Sequence, residues 1–366
     1  MNLLEVCRAV AHTQREKIQP NGSMPAGNNG LYNDPETPVR NTSHWVVTYS
    51  YLYERTGEEE FKQAAYQCLS YLQSDEARPY GETFHHRAID GKDKCNGLIG
   101  QAWTIEALAV AARIFDDDGF ASLAENVFLL HPNDNKSSLW KRVEIDGRVL
   151  PFDATFNHQL WFAAAGGLLS QCRSVSPAIK SQVVRFLDEV ETNLRLYDSG
   201  LIFHPLLPPS IRRQLHLTRV DQRGRIGLTF ITGRAPIPSR QRALRHKAIG
   251  YHAFNMYAFG LLKNVVPAHP LWESPFFNQL LQYIQSDSYK EIVWRNEFGS
   301  AHNPVGFEVA FVLASFEQSN SESQNWWIQR QIREHYNTKT AQFDTDTPDA
   351  EALTARIYEA VRLLST

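Results

Sequence analysis

The stretch PFDATFNHQLWFAAAGGLL, Pro151 to Leu169, decides the reading of the chain. It opens on a proline, an aspartate and a threonine and runs into an apolar, small-residue segment. Leu160, Trp161, Ala164, Ala165 and Leu168 recur at helical spacing, and Asp153 or Thr155 can cap the helix they define. Such a helix is buried, with a polar mouth. Asp153, Asn157 and His158 sit there within about two turns, a carboxylate, an amide and an imidazole able to do acid–base chemistry.

The same pattern returns on either side. Trp45 lies in NTSHWVVTYSYLYERTG, Trp103 in NGLIGQAWTIEALAVAARIF and Trp161 in the opening stretch, and both gaps are 58 residues. A recurrence of that length suggests a repeated helical hairpin. GYHAFNMYAFGLL from Gly250 and NPVGFEVAFVLASF from Asn303 have the same make-up. Further helices are expected over about 2–18, 41–56, 58–74, 97–115, 119–130, 176–196, 247–263, 271–285, 304–317, 322–335 and 350–364, making twelve with the opening stretch. LWKRVEIDGRVLPF reads as a β-hairpin turning at Asp146 and Gly147. Twelve helices with long loops before each small-residue helix suggest an all-α (α/α)6 toroid, six hairpins in a closed ring whose last helix pairs with the first. An open solenoid fits the pitch equally well. In the ring, the loops before the inner helices converge on one face with the helix N-termini.

One segment breaks the regularity. Residues 197–245 carry Pro205, Pro208, Pro209, Pro236 and Pro238 around a strand-like IGLTFIT, a loop/β insertion in the ring. From Arg212 to Lys247 ten arginines or lysines face one acid, Asp221. A solvated loop is the plain explanation. A guanidinium-rich lid over an acidic ligand, Arg234 included, is the functional one.

Composition narrows the classes. With 43% hydrophobic and 21% charged residues, the 366-residue chain reads as one globular domain over its whole length. A net charge of −3 argues against general nucleic-acid binding. No apolar run reads as a membrane span, and MNLLEVCRAVAHTQREK lacks the core of a signal peptide, so a cytoplasmic location is expected. Cys7, Cys68, Cys95 and Cys172 are unpaired in spacing and read as buried thiols. No HExxH, nucleotide-binding glycine motif or Gly-x-Ser-x-Gly occurs, and adjacent His85 and His86 make a poor metal pair, so neither metal nor cofactor is expected.

Polar residues collect at the expected helix entrances: Asp34, Glu36, Arg40, Asn41 and His44, then Glu82, His85, His86 and Arg87. His252 and Asn255 follow, then Glu297, His302, Asn303 and Glu308. Trp45, Trp103 and Trp161 can stack on sugar rings or simply fill the core.

The architecture resembles the six-hairpin toroid carbohydrate-active enzymes over nearly the whole chain. LPFDATFNHQLWFAAAG is similar to the entrance that carries a catalytic aspartate in unsaturated uronyl hydrolases. That resemblance implies a second functional aspartate one hairpin earlier, where Asp93 precedes Asp153 by 60 residues and Asp90 competes with it; His158 departs from the pattern. NDPETPVRNTSHW, CNGLIGQAW and FDATFNHQLWFAAAG resemble proteins of bacterial and archaeal glycan-assembly clusters, including archaeal protein glycosylation.

Three functions follow as expectations. The first is a glycoside hydrolase on an anionic, uronic-acid-containing oligosaccharide or polysaccharide, with Asp153 as the protonated acid and Asp93 or Asp90 raising its pKa. Against it stands Asp153 as a plain ionised cap. The second is a uronate lyase or C5-epimerase, with His158 taking a carbon-bound proton and Asn157 holding the carboxylate. The third is a glycan-binding protein without catalysis.

Overall fold

The computed structural model describes residues 1–206, 238–316 and 321–364. Its main helices are α1 (Leu3–Arg15), α2 (Val39–Thr56), α3 (Glu59–Leu72), α4 (Gly97–Phe115), α5 (Asp118–Leu130), α6 (Phe156–Leu169) and α7 (Pro177–Asp188). After them come α8 (Pro238–Val265), α9 (Pro275–Gln285), α10 (Val305–Ser315), α11 (Ser321–His335), α12 (Ala350–Ala355) and α13 (Tyr358–Val361). The inner helices pack in sequence: α2 on α4, α4 on α6, α6 on α8, α8 on α10, α10 on α13, and α13 back on α2. Each carries its partner outside, α3, α5, α7, α9 and α11 in turn, and α1 packs on both α13 and α2. The last hairpin therefore closes on the first. This is the (α/α)6 toroid, and the open solenoid is excluded.

Burial on all sides explains the composition of the inner helices, since a helix enclosed by neighbours has no polar face. α6 is buried along almost its whole length. A Cβ added at Gly166 would stand 2.5 Å from the Phe128 ring of α5, so the run AAAGG sets how closely the outer layer approaches. Trp45 and Trp161 are fully enclosed, and Trp161 stacks on Phe254 and Tyr257.

α4 corrects one expectation: by length and composition it could cross a membrane, yet it stands inside the ring. Cys7, Cys68 and Cys95 are buried and Cys172 partly so, all as free thiols. Burial raises the Cys95 thiol.

The expected hairpin at Asp146 and Gly147 is present as β1 (Lys141–Val143) paired with β2 (Val149–Phe152). The helix expected to reach residue 196 ends at Asp188. After one more helical turn, β3 (Arg195–Leu196) pairs antiparallel with β4 (Ile202–Phe203). α8 begins at Pro238 rather than near 247, because proline is tolerated in a helix's first turn, where its missing N–H costs nothing. The expected insertion at 197–245 thus contains a short hairpin and the first turns of α8. The part of its basic stretch up to residue 237, with Arg234 and IGLTFIT, lies outside the described residues.

Candidate functional site

The N-terminal ends of the inner helices open onto a pocket of about 250 Å³. Asn157, His158 and Thr155 reach it from the start of α6, and Asn96, Ile99 and Trp103 from the start of α4. Lys247, Tyr251 and Phe254 line it from α8 at i, i+4 and i+7, one stripe of a helix.

His158 is the group best placed for proton transfer. Its Nδ1 lies 2.8 Å from Asp153 Oδ2. The same carboxylate accepts from the Leu98 backbone N–H at 3.1 Å and, through Oδ1, from that of Thr155 at 3.2 Å. Burial works against ionisation, but His158 and these N–H groups outweigh it and hold the Asp153 carboxyl at about 2. The contact with the ionised Asp153 carboxylate orients the His158 ring through Nδ1. Nε2 has no partner among the described residues, and His158 lines the pocket. Gly97 permits this approach: its φ is +58°, and a Cβ there would meet Asp153 Oδ2 at 2.4 Å and His158 Nδ1 at 3.0 Å.

A second chain runs through tyrosines. His302 Nε2 lies 2.9 Å from the Tyr251 hydroxyl, which lies 3.0 Å from that of Tyr32. Burial, with Arg356, Arg40 and Lys247 nearby, keeps His302 neutral. Burial likewise pushes the Tyr251 phenol up to about 12, so it remains a proton donor. Gly30, also at φ +58°, lets the backbone press against His302 Nδ1, which a Cβ would meet at 2.2 Å.

Cations surround both chains. Arg40 pairs with Glu36 at 3.1 Å and lies 4.4 Å from the centre of the Trp103 ring. Lys92 holds Asp34, the one carboxylate that lines the pocket among the described residues, at 2.5 Å. Arg356 binds Glu308 at 2.7 Å and Glu359 at 2.5 Å and also donates to Asn303. Lys247 differs: among the described residues it has no carboxylate partner. Its ammonium lies 4.9 Å from the Tyr32 ring centre and 5.3 Å from that of Tyr251.

The structure separates the residues anticipated from sequence into two sets. Asp34, Arg40, Arg87, Trp103, Asn157, His158, His302 and Asn303 line the pocket. His44, Trp45, His86, Trp161, His252 and Asn255 do not; all are buried in the walls behind it. His44 stacks on Tyr358 at 4.2 Å, and His252 lies edge-on between Tyr283 and Tyr289. Of the two expected partners of Asp153, Asp93 comes to the same helix start and Asp90 does not. Asp90 is fully exposed and pairs with Lys94, while Asp93 is held by Arg87 at 3.1 Å and Arg142 at 3.0 Å. Asp93 and Asp153 accept from the backbone N–H groups of Gly97 and Leu98, so both serve the N-terminus of α4. Tyr32, His204, Tyr251 and Arg356 went unanticipated as pocket residues. On α8 the periodicity gives the helix but not its rotation, and the polar residues His252 and Asn255 point away while Tyr251 and Phe254 point in.

The archaeal glycosylation protein Q of Haloferax volcanii is 45% identical to this chain over 365 residues, 99% of this chain and 97% of that protein. The chain belongs to its family. No protein-family model matches this member of the glycosylation protein Q family. Solved structures agree with the fold. A D-mannose isomerase superposes with a TM-score of 0.64 at 11% identity, covering 100% of this chain and 97% of its own. The cellobiose 2-epimerase of Bacillus thermoamylovorans gives 0.64 at 10% identity, covering 98% and 99%. An inactive variant of a Salegentibacter α-1,6-mannanase in complex with α-1,6-mannotetrose gives 0.59 at 11% identity, covering 100% of both chains.

Proposed function

We propose that the protein is a carbohydrate-active enzyme of glycan assembly that epimerises or isomerises an acidic sugar by proton transfer. The observation that carries this reading is the Asp153–His158 pair at the pocket, which orients His158 to act through Nε2 as the base. His158 takes the proton from the carbon beside the sugar's carbonyl, and the electron pair passes to an enediolate whose charge the pocket's guanidinium groups stabilise. Return of a proton to the other face gives an epimer; return to the neighbouring carbon gives an aldose–ketose pair. The His302–Tyr251–Tyr32 chain supplies a proton donor to the oxygen.

Hydrolysis by two carboxyls fits less well. It needs one protonated carboxyl, whereas Asp153 is ionised, Asp93 is held by two arginines and Asp90 faces solvent. The mannose isomerase and cellobiose 2-epimerase among the similar structures support the proton-transfer reading, and the glycosylation protein relative supports the pathway context. Lys247, whose ammonium has no carboxylate partner among the described residues, supports an anionic substrate, since a carboxylate would complete its pairing.

The test is nuclear magnetic resonance in D2O with D-glucuronate, D-mannuronate, D-glucose, D-mannose and their methyl glycosides. Deuterium entering beside the carbonyl of an acidic sugar, with a second sugar appearing, is the expected result. His158→Ala lowers that rate on the order of 10²- to 10⁴-fold. Lys247→Met raises KM for the acidic sugar about 10-fold, equivalent to about 1.4 kcal/mol, and spares any neutral one. Reducing sugar released from a glycoside without deuterium exchange would replace the proposal with hydrolysis. Tight sugar binding with neither reaction would leave a binding protein.

A further inference from the structure

The pocket contains polar atoms that the chemistry above does not use. His204 follows β4, and the chain there is stitched to the mouth of α6: Phe156 N–H donates to His204 O at 2.9 Å, and Thr155 bridges to Pro205. This places His204 beside Asn157 on the pocket wall. Both are nearly enclosed, with 5% and 4% of their surface exposed. Neither ring nitrogen of His204 nor Oδ1 of Asn157 has a hydrogen-bond partner among the described residues.

Such atoms are costly to leave empty, because burial has taken away their water. The other polar groups of the wall are largely spent on one another: Arg40 on Glu36, Lys92 on Asp34, Arg87 on Asp93, His302 on Tyr251. His204 is also neutral, since burial, then Lys247, His158 and His252, push it down to about 3. A neutral imidazole offers one donor and one acceptor, and the amide oxygen offers another acceptor. That set does not suit a carboxylate, which only accepts. It suits a hydroxyl, which both donates and accepts.

We propose that Asn157 and His204 form a hydroxyl-reading subsite that fixes which sugar the pocket accepts, through one hydroxyl group remote from the reacting carbon. This rests on the reading that the pocket holds a sugar, though not on the reaction it undergoes. A site built around a hydrogen-bonded hydroxyl discriminates strongly against the analogue that lacks it, because its own polar atoms then stay unpaired.

The experiment is calorimetric binding of D-glucuronate, D-mannuronate and their singly deoxygenated analogues to the full chain, in wild type, His204→Ala, His204→Gln and Asn157→Ala. Wild type should bind one deoxy analogue on the order of 10- to 100-fold more weakly than its parent. His204→Ala and Asn157→Ala should weaken the parent by a similar factor while binding that analogue as wild type does. His204→Gln, which keeps a donor and an acceptor, should restore part of the discrimination. A variant that weakens parent and every analogue equally, or binds the parent as wild type does, overturns the subsite. His158→Ala separates the two readings: exchange lost with discrimination kept supports both. Discrimination without any wild-type exchange refutes only the reaction, and exchange without discrimination refutes only the subsite. Failure of wild type to bind any sugar of the panel refutes both.

Discussion

Gly97→Ala tests the geometry of the proton-transfer pair at one backbone position. Two effects act together. A left-handed backbone costs a non-glycine residue roughly 1–2 kcal/mol, offset by about 0.4–1 kcal/mol because alanine restricts the unfolded chain. The added methyl also stands 2.4 Å from Asp153 Oδ2, where ordinary contact begins at 3.4 Å, so the carboxylate must retreat by 1.0 Å. A misplacement of about 1 Å in a catalytic group lowers the rate on the order of 10²-fold. Gly57 is the matched control, with φ +71° and nothing within 4 Å of an added Cβ. Gly57→Ala therefore carries the backbone cost alone. Urea unfolding should show a loss of about 0.5–1.5 kcal/mol in Gly57→Ala and more in Gly97→Ala. Deuterium incorporation should be unchanged in the first and about 10²-fold slower in the second. If Gly97→Ala keeps its rate within twofold, or Gly57→Ala loses as much, the Asp153–His158 pair is not what positions the base.

Two further outcomes follow from burial and charge. The Asp153 carboxyl lies at about 2 where an ordinary aspartate lies at 3.8, which contributes about 2 kcal/mol to stability. Because the folded value is the lower one, this contribution is complete above pH ~4 and is lost as pH falls from ~4 to ~2. Unfolding curves across that window should show Asp153→Asn losing less stability than wild type; a constant gap between the two from pH ~5 to ~2 would contradict the assignment. Trp161→Ala should cost about 3–5 kcal/mol, since the indole is enclosed against Phe254 and Tyr257. The folded fraction should bind sugar with affinity within a few-fold of wild type, whereas a tryptophan stacked on substrate would lose binding without that loss of stability.

The ring was legible because closure imposes a strong requirement on sequence. Each inner helix is enclosed by neighbours, so its apolar, small-residue make-up recurs, and the 58-residue spacing of Trp45, Trp103 and Trp161 carries through to α2, α4 and α6. Sequence also marked the helix entrances, because the loops before them carry the polar residues. It did not distinguish side chains that enter the pocket from those that turn into the wall, which depends on helix rotation and on what each neighbour presents. On α8, His252 and Asn255 turn away and Lys247, Tyr251 and Phe254 turn in.

The aspartates show a deeper limit. Asp93 and Asp153 stand on separate loops, yet both end at the first N–H groups of α4, a meeting that the packing of α6 on α4 creates. There His158, joined by the Leu98 and Thr155 N–H groups, outweighs burial and keeps Asp153 ionised at the pocket's edge. An ionised carboxylate cannot donate a proton to a leaving group, but it can orient a histidine. On the proposed reading the proton-transfer role passes from Asp153 to His158, whose place in the first turn of α6 the sequence had already marked.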